Sequence, residues 1–264
     1  MKTYHAYARP YLLYFFLSII HANAKKINPY DNNRAKTEQV KEMFDSIAPA
    51  YDFMNRAMTF GIDKCWRAKA VKMIKAYAPK TILDVATGTG DLAIKLARSL
   101  CPEKITGIDL SEGMIAIGRK KVAEADLDNI INFVAGDCLS LPFDEAQFDC
   151  ITVAYGVRNF EHLDQGYREM YRVIKPGGVL CVIELSTPTS PIVKPFYKLY
   201  TRYLIPFVGR MVSKDVRAYS YLPESIAAVP QGNDMLQLMR EAGFNSCRYK
   251  RLTFGTCTIY MAIK

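Results

Sequence analysis

The chain has 264 residues, half of them hydrophobic, and carries 35 Lys and Arg against 26 Asp and Glu. This composition excludes an intrinsically disordered chain and predicts one sizeable hydrophobic core. The net charge of +9 is compatible with nucleic acid, an anionic membrane surface or an acidic substrate, and does not choose among them.

The first 25 residues have the layout of a secretory signal peptide. Lys2 and Arg9 precede an apolar run from Tyr11 to Ile20, and the small residues of Ala22 to Ala24 follow it. The run is too short to span a bilayer as a helix. Export, a surface anchor and a mis-assigned start are therefore the alternatives for residues 1–25, and we expect residues 26–264 to form a single domain.

Two amphipathic helices are predicted before residue 81. The first follows a candidate N-cap at Thr37 and ends at Pro49, and it has apolar residues at helical spacing. These are Val40, Met43, Phe44 and Ile47.

The second helix has one apolar face, with basic residues elsewhere around it that are expected to be solvated. The apolar face comprises Trp66, Ala70, Met73, Ile74 and Tyr77. The basic residues are Lys64, Arg67, Lys69, Lys72 and Lys75.

Short apolar runs alternate with helical segments from residue 81 onward, as in parallel strands joined by crossover helices. The runs are TILDV, KITGIDL, INFVAGD, FDCITVAYG and VLCVIELS. Two further runs, SCRYKRL and GTCTIYMAIK, lie close together and are expected to pair antiparallel at one edge. The predicted fold is α/β: a doubly wound, seven-stranded, mostly parallel sheet with N-terminal helices and a helical insert at about residues 187–220.

The seven cysteines contain no C-x-x-C pair, and several lie in strand-like runs. This pattern favours buried free thiols in a reducing compartment over disulfides or a zinc site, so no metal is predicted. The cysteines are Cys65, Cys101, Cys138, Cys150, Cys181, Cys247 and Cys257.

A glycine-rich turn follows the first strand in ILDVATGTGDLA. Gly88, Gly90 and Ala93 match the pattern G-x-G-x-x-G/A, and Asp109 closes the next strand about 20 residues on, where an acid would hold the hydroxyls of a ribose. The turn therefore predicts a nucleotide-like ligand at the carboxyl ends of the strands.

Carboxylates on both sides of this turn distinguish between two ligands. A pyrophosphate, as in NAD, would face Asp84 and Asp91 at a helix N-terminus that otherwise attracts anions. S-adenosylmethionine has no phosphate and carries a sulfonium and an ammonium group, so these acids favour it. Asp137, after the third strand, is a candidate partner of the adenine amine together with the backbone near Cys138, although an Asp at this place can also form a turn.

Five segments now identify a family resemblance. They are YDFMNRAMTFGIDKCWR, DVATGTGD, YGVRNF, YRVIKPGGVLCVIELS and YLPES. Over residues from about 30 to 264 the chain resembles the class I S-adenosylmethionine-dependent methyltransferases, and more narrowly the ubiquinone/menaquinone biosynthesis C-methyltransferases. The resemblance implies methylation of a prenylated quinol ring.

The resemblance also implies site residues. Those expected to bind the cofactor, with the acid and glycines of the turn, are Asp84, Gly88, Thr89, Gly90, Asp109, Asp137, Cys138 and Ala154. Those expected to bind the substrate are Tyr51, Asn55, Trp66, Tyr155 and Tyr221. Thr59, Asp63 and Ala154 stand where the family often has Ser, His and Ser. The first two departures favour demethylmenaquinol over the benzoquinol precursor of ubiquinone as the substrate.

Three polar residues are candidates for the chemistry. Arg158 could stabilise an ionised quinol oxygen but cannot readily act as a base, and it could instead pair with Glu161 or Glu184. Asn159 could hold a quinone oxygen or begin a turn. Asp63 could take the ring proton or cap a helix.

The helical insert carries an apolar stripe that fits an isoprenoid tail, an anionic lipid surface or ordinary core packing. The stripe comprises Phe196, Leu199, Tyr200, Tyr203, Leu204 and Phe207. We expect peripheral contact with the cytoplasmic membrane face and no nucleic acid, and a homodimer stays open. Because S-adenosylmethionine is made in the cytoplasm, residues 1–25 are expected to be an anchor or a mis-assigned start and the enzyme to be cytoplasmic.

Three other functions stay open at this point. A nucleic-acid methyltransferase fits the positive charge, but the segment AYGVRNF lacks the N-P-P-Y-like motif of enzymes that methylate base nitrogens. A non-catalytic cofactor-binding module and an NAD-dependent dehydrogenase are the others.

Overall fold

A seven-stranded sheet forms the centre of the protein. The computed structural model describes residues 27–30, 33–205 and 216–264. The strands are β1 (Thr81–Val85), β2 (Lys104–Asp109), β3 (Ile131–Ala135), β4 (Phe148–Ala154), β5 (Ile174–Leu185), β6 (Asn245–Leu252) and β7 (Cys257–Ile263). Their order is β3-β2-β1-β4-β5-β7-β6, and β7 runs antiparallel to both of its neighbours while the first five strands are parallel. The predicted fold class and the antiparallel edge pair are confirmed.

Helices cover both faces of the sheet and its carboxyl edge. They are α1 (Lys36–Ile47), α2 (Tyr51–Thr59), α3 (Asp63–Ile74), α4 (Asp91–Leu100), α5 (Glu112–Glu124), α6 (Leu163–Val173), α7 (Val193–Leu199), α8 (Val216–Ala228) and α9 (Asn233–Glu241). Successive side chains of a strand point to opposite faces. Ile82 accordingly belongs to the apolar cluster under α3, α4 and α5, and Leu83 to the cluster under α6 and α9. The strand order reverses beside β1, so the carboxyl ends of β1 and β4 border the crevice where such sheets bind ligands.

The N-terminal helices form a third apolar cluster of their own. Met43 and Ile47 of α1 pack in it with Met54 of α2 and with Ile205 and Tyr221 from the insert and α8. This cluster places α1 and α2 over the carboxyl ends of the strands.

The prediction that Thr37 caps α1 is wrong. The helix begins at Lys36, and its N-cap Ala35 offers no side-chain acceptor. The Thr37 amide and hydroxyl instead donate to Glu161 at 3.2 Å each, which fastens the start of α1 to the loop after β4. Pro49 lies in a 3₁₀ turn that follows α1, so the predicted helix end is confirmed.

The predicted apolar face of the second helix is confirmed, with Trp66 and Ile74 buried in α3. The prediction that the basic residues of this helix are all solvated is wrong for Arg67. Its side chain is 8% exposed and forms ion pairs with Asp63 and, at 3.2 Å, with Asp91. Because the two carboxylates come from different helices, Arg67 joins α3 to the start of α4.

The cysteines are all free thiols, as predicted. Cys138, Cys150, Cys181 and Cys257 are buried, whereas Cys65 and Cys101 are exposed. Strand β5 begins five residues before the predicted run, because Ile174 pairs with Phe148 and the strand then bulges before Val179 pairs with Cys150.

Candidate active site

Two neighbouring cavities lie at the carboxyl ends of the strands. The first, here called the polar cleft, is lined by Gly88, Asp109, Asp137, Cys138 and Ala154 and is closed by side chains of α1. The second, here called the apolar cavity, has a volume of about 300 Å³ and lies between α2, α3 and the insert. Tyr51 and Tyr155 line both cavities.

Asp109 connects the glycine turn to the helix that follows β2. One carboxylate oxygen accepts from the Gly88 amide at 2.8 Å, and the other accepts from the Ser111 amide at 2.9 Å. Burial raises the pKa of Asp109 in spite of these bonds. Asp109 lines the polar cleft, and because a carboxylate can accept several hydrogen bonds it fits the hydroxyls of a ribose.

Asp137 both forms a turn and borders the polar cleft. Its carboxylate accepts from the Leu139 amide at 2.9 Å, which is the turn contact left open by the sequence. Cys138 lies beside it with a thiol whose pKa is raised well above its usual value by burial. Cys138 is therefore a neutral wall of the cleft, consistent with a contact through its backbone.

The two glycines of the turn have different surroundings. Gly88 has φ +56°, and a Cβ on it would face the Tyr51 ring at 3.9 Å, on the side of the cleft. Gly90 has φ +76°, and a Cβ there would lie 2.8 Å from Phe133. Gly90 therefore leaves room for the Phe133 ring of β3, and unlike Gly88 it does not line the polar cleft.

Thr89 also departs from the expected contact. Its hydroxyl donates to Asp52 of α2 at 2.6 Å, and Lys121 bridges Asp52 at 2.7 Å and Asp91. The side chain of Thr89 therefore fastens α2 to the glycine turn and points away from the polar cleft, beside the narrow pocket described next.

A narrow pocket beside the glycine turn is lined by Asp84 and Asp91, the two acids that favour S-adenosylmethionine over NAD. Asp84 accepts from Thr87 at 2.7 Å and from Thr152 at 2.5 Å, and burial raises its pKa to about 6. Asp91 has a lowered pKa: burial opposes its charge, but Lys121 and Arg67 outweigh that cost. Asp84 is thus bonded to two hydroxyl groups, whereas Asp91 is paired with protein cations.

The pKa of Asp84 predicts a pH dependence of ligand affinity. A cationic ligand favours the ionised carboxylate, so below about pH 6 binding must displace a proton and affinity should fall up to about tenfold per pH unit. Above the pKa affinity should be flat. Calorimetric titration with S-adenosylmethionine between about pH 5 and pH 7 measures this slope. The same titration with S-adenosylhomocysteine, whose sulfur is neutral, shows how much of the slope is due to the sulfonium.

The matched control is Asp84→Asn, which should bind more weakly at pH 7 and show a flatter profile below pH 6. An identical slope in the variant and the wild type would show that another group titrates.

Arg158 lines the apolar cavity and is buried. One terminal nitrogen pairs with Glu184 at 2.8 Å and also donates to the Tyr155 carbonyl. Of the two expected structural partners, Glu184 is the one found. Burial opposes the charge of Arg158, but Glu184 outweighs it and the pKa is raised, so the guanidinium stays charged.

Two buried polar atoms at the apolar cavity have no hydrogen-bond partner among the described residues. They are the Tyr155 hydroxyl and the Arg158 Nε. Tyr155 also has φ +60°, a left-handed conformation that a bulky residue adopts at a cost of about 1–3 kcal/mol. Unsatisfied buried polar atoms and local strain occur together here, a combination that is more frequent at functional sites than elsewhere.

Trp66 and Asn55 line the apolar cavity, as expected of substrate residues. The Trp66 ring meets Tyr155 edge-on with 6.5 Å between ring centroids, and its indole N–H donates to Thr253 at 2.7 Å. Asp63 also lines the cavity, but it accepts from Arg67 and from Thr59 at 2.9 Å. Because it is only 1% exposed, the alternative of a surface helix cap is wrong.

The structure corrects the placement of Asn159 and Tyr221. The Tyr221 hydroxyl donates to the Asn159 side-chain oxygen at 3.2 Å, so the two satisfy each other. Neither lines the apolar cavity; both border a small pocket on the other side of Arg158. Asn159 also borders the polar cleft and is the last residue of the 3₁₀ turn Val157–Asn159, so it ends a turn and does not begin one.

Sequence reasoning missed the residues of α1 that close the polar cleft. Val40 and Phe44 line it, and Asp45 accepts from the Ser111 hydroxyl at 2.6 Å. The helical spacing of Val40 and Phe44 was visible, but it does not distinguish a residue facing a core from one facing a ligand.

The described part of the insert is largely exposed. Phe196 and Leu199 of α7 are 71% and 59% exposed and Tyr203 is 60% exposed, so core packing is wrong for these three. Tyr200 lines the apolar cavity and donates to the Met58 carbonyl of α2. Phe207 lies outside the described residues.

Comparison with known proteins identifies the family of the chain. The profile of the ubiE/COQ5 methyltransferase family matches residues 32–264. The chain belongs to that family. It is therefore an S-adenosylmethionine-dependent methyltransferase, which removes the NAD-dependent dehydrogenase alternative.

This chain covers nearly the whole length of several similar curated proteins. A demethylmenaquinone methyltransferase of Bacteroides fragilis is 50% identical over 240 residues, 91% of this chain and 98% of that protein. One from Porphyromonas gingivalis is 48% identical over 91% of this chain and 98% of its own length. A ubiquinone/menaquinone biosynthesis C-methyltransferase of Geotalea daltonii is 45% identical over 87% and 97%.

Solved structures confirm the fold. The [4+2]-cyclase SpnF has a TM-score of 0.61 at 19% identity, covering 86% of this chain and 96% of that one. A methyltransferase of Thermotoga maritima has a TM-score of 0.58 at 18% identity, covering 84% and 99%. A fold shared by a cyclase and a methyltransferase does not fix the reaction, so the function rests on the family and the site.

No helix within the described residues is both long enough and apolar enough to cross a membrane. The apolar run of residues 11–20 and the rest of the proposed N-terminal extension lie outside them.

Proposed function

We propose that the chain transfers a methyl group from S-adenosylmethionine to a ring carbon of a prenylated quinol, with demethylmenaquinol as its substrate. The observation that carries this proposal is the pair of aromatic walls, Tyr51 and Tyr155, shared by the acid-lined cleft and the apolar cavity. A cofactor in one and a quinol ring in the other would meet there. The names of the Bacteroides and Porphyromonas relatives support the choice of quinol.

The benzoquinol precursor of ubiquinone is the second candidate substrate. It is supported by the name of the Geotalea relative, which covers both quinone pathways. A cavity of about 300 Å³ with mostly apolar walls accommodates either ring.

Arg158 is assigned the stabilisation of the ionised quinol oxygen. S-adenosylmethionine supplies an electrophilic methyl group, and the acceptor carbon attacks it well only when the neighbouring ring hydroxyl is ionised. The charged guanidinium of Arg158 lines the apolar cavity and can donate to that oxygen in a largely buried site, where such a bond is strong. Glu184 holds the guanidinium in place, and the permanent charge of Arg158 excludes it as the base.

Tyr155 and Asp63 are assigned positioning roles. The Tyr155 side chain lines both cavities and can orient the ring by packing against it. One oxygen of Asp63 accepts from Thr59 and the other is paired with Arg67, so we assign it to holding Arg67 and not to removing the ring proton.

A methylation assay with the two quinols side by side tests the proposal. We expect demethylmenaquinol to be methylated with a kcat/KM at least about tenfold higher than the benzoquinol precursor, and only in the reduced form, because the oxidised quinone has no hydroxyl to ionise. Donor binding without turnover on either quinol would favour the non-catalytic module and overturn the proposal.

The partners and the location follow from the same chemistry. The donor is made in the cytoplasm and the acceptor is lipophilic, so we propose a cytoplasmic enzyme in peripheral contact with the membrane, with no nucleic-acid partner. Filter binding to RNA at increasing salt tests the last point, since phosphate-driven binding would be tight and steeply salt dependent. Such binding would favour the nucleic-acid methyltransferase.

A further inference from the structure

The mouth of the apolar cavity is surrounded by exposed apolar side chains from three separate chain segments, here called the rim. Phe60 and Ile62 come from the turn between α2 and α3, Ile192 and Phe196 from the start of the insert, and Phe254 from the β6–β7 connection. They are between 38% and 80% exposed. Three of them line the cavity, and the other two adjoin cavity-lining residues in sequence.

The backbone at two of these positions is strained. Phe60 has φ +52° and Phe254 has φ +56°, in the left-handed region that favours glycine. A bulky residue held there and projected into solvent contributes nothing to a core. At Phe60 this conformation forms the left-handed cap that ends α2, but the cap does not require an exposed aromatic ring, so the exposure of both rings is more typical of a binding surface.

The exposed charges on the neighbouring segments are positive. From Thr187 to Ile205 the chain has no acid, and its cations Lys194, Lys198 and Arg202 are exposed. Beyond Glu241 the sequence again has no acid, and Arg251, three residues before Phe254, is exposed. Apolar side chains beside cations are the composition that binds the surface of an anionic bilayer.

We propose that the rim docks the protein on an anionic lipid bilayer, so that the apolar cavity opens directly into the lipid and takes up its ligand without passage through water. The charge argues against a second copy of the chain as the occupant, because two such surfaces would bring like charges together. Only the identity of the ligand rests on the proposed function, since lipid binding is measured without quinol or donor.

The test is co-sedimentation of the full chain with vesicles of phosphatidylcholine, with and without about 30 mol % phosphatidylglycerol. Wild type should bind the anionic vesicles at least about tenfold more tightly than the neutral ones. The triple variant Lys194→Gln, Lys198→Gln, Arg202→Gln should lose most of this difference. Every variant keeps residues 1–25, so their contribution is constant.

The matched control removes the same number and kind of charges elsewhere. Lys75, Arg98 and Lys104 are exposed near the amino ends of the strands, at the opposite edge of the sheet. Their replacement by Gln should leave vesicle binding within about twofold of wild type, although the net charge changes equally.

The variant Phe254→Asn tests membrane docking by a substitution that should not destabilise the fold. Asn tolerates the left-handed conformation better than Phe, so the variant should be at least as stable to urea as wild type, while its vesicle affinity falls about fivefold or more. If the proposed function holds, methylation of a short-tailed, water-soluble quinol should be unchanged, whereas methylation of a long-tailed quinol in vesicles should fall.

Three results would overturn the proposal: equal binding of wild type to neutral and anionic vesicles, equal loss in the rim and control charge variants, or unchanged vesicle affinity of Phe254→Asn. If Phe254→Asn instead dissolved a dimer in sedimentation equilibrium and left vesicle binding intact, a second copy of the chain would occupy the rim. Failure of the methylation assay alone would leave the docking result standing.

Discussion

Arg158→Ala is expected to reduce turnover on the quinol about 100- to 1,000-fold while leaving affinity for S-adenosylhomocysteine within about threefold of wild type. The guanidinium lines the apolar cavity and is held in place by Glu184, so it can donate to the quinol oxygen. Single-turnover methylation and calorimetric titration measure the two quantities separately.

The same substitution also disturbs folding, and this effect must be separated from catalysis. Without Arg158 the carboxylate of Glu184, whose side chain is 2% exposed, would be left buried and unpaired, at a cost of about 3–5 kcal/mol in the free energy of unfolding. The double variant Arg158→Ala, Glu184→Gln removes that charge and should recover much of the stability but not the turnover. Wild-type turnover in the double variant would remove the role assigned to Arg158.

Asp109→Ala is expected to weaken binding of S-adenosylmethionine by about 1–3 kcal/mol, through the loss of charge-assisted hydrogen bonds to the ribose. Part of the loss arises within the protein, because Asp109 also fixes the Gly88 and Ser111 amides. Calorimetry at one pH above 7 measures the effect free of the titration of Asp84.

A double-mutant cycle isolates the ribose contact from the protein contacts. An S-adenosylhomocysteine analogue that lacks the ribose hydroxyls should bind wild type more weakly than the parent ligand, but should bind Asp109→Ala about as well as the parent does. Equal losses on both proteins would place the ribose away from Asp109.

The sheet could be predicted from the sequence because each strand is a short apolar run bounded by turns or helices. The antiparallel edge followed from the short connection between the last two runs, which leaves no room for a crossover helix. The strand β5 was predicted too short, because residues 174–178 continue it across a bulge and contain the Pro and Gly that are typical of turns.

The polar cleft could be predicted in part for a related reason. The carboxyl ends of adjacent parallel strands meet at one edge, so the acids that end β1 and β2 and follow β3 were expected to converge. Asp109 and Asp137 do line the cleft, and Asp84 lies in the adjoining pocket. The ion pairs of Asp91 could not be predicted, because its partners Lys121 and Arg67 come from helices distant in sequence.

Other hydrogen bonds between polar residues far apart in the chain could not be predicted from the sequence either. Asn159 and Tyr221 each look like a ligand-binding residue alone, and only the fold shows that they bond to each other. The same holds for Thr37, whose position suited a helix cap until Glu161 was seen beside it.

Trp66 gives the protein a built-in optical reporter. It is the single tryptophan of the chain, so selectively excited indole emission arises at one known wall of the apolar cavity. A quinone ring seated against that wall would quench the emission by contact, and occupancy could be followed in real time without a label. The same signal would show whether the ring arrives from solution or from a vesicle.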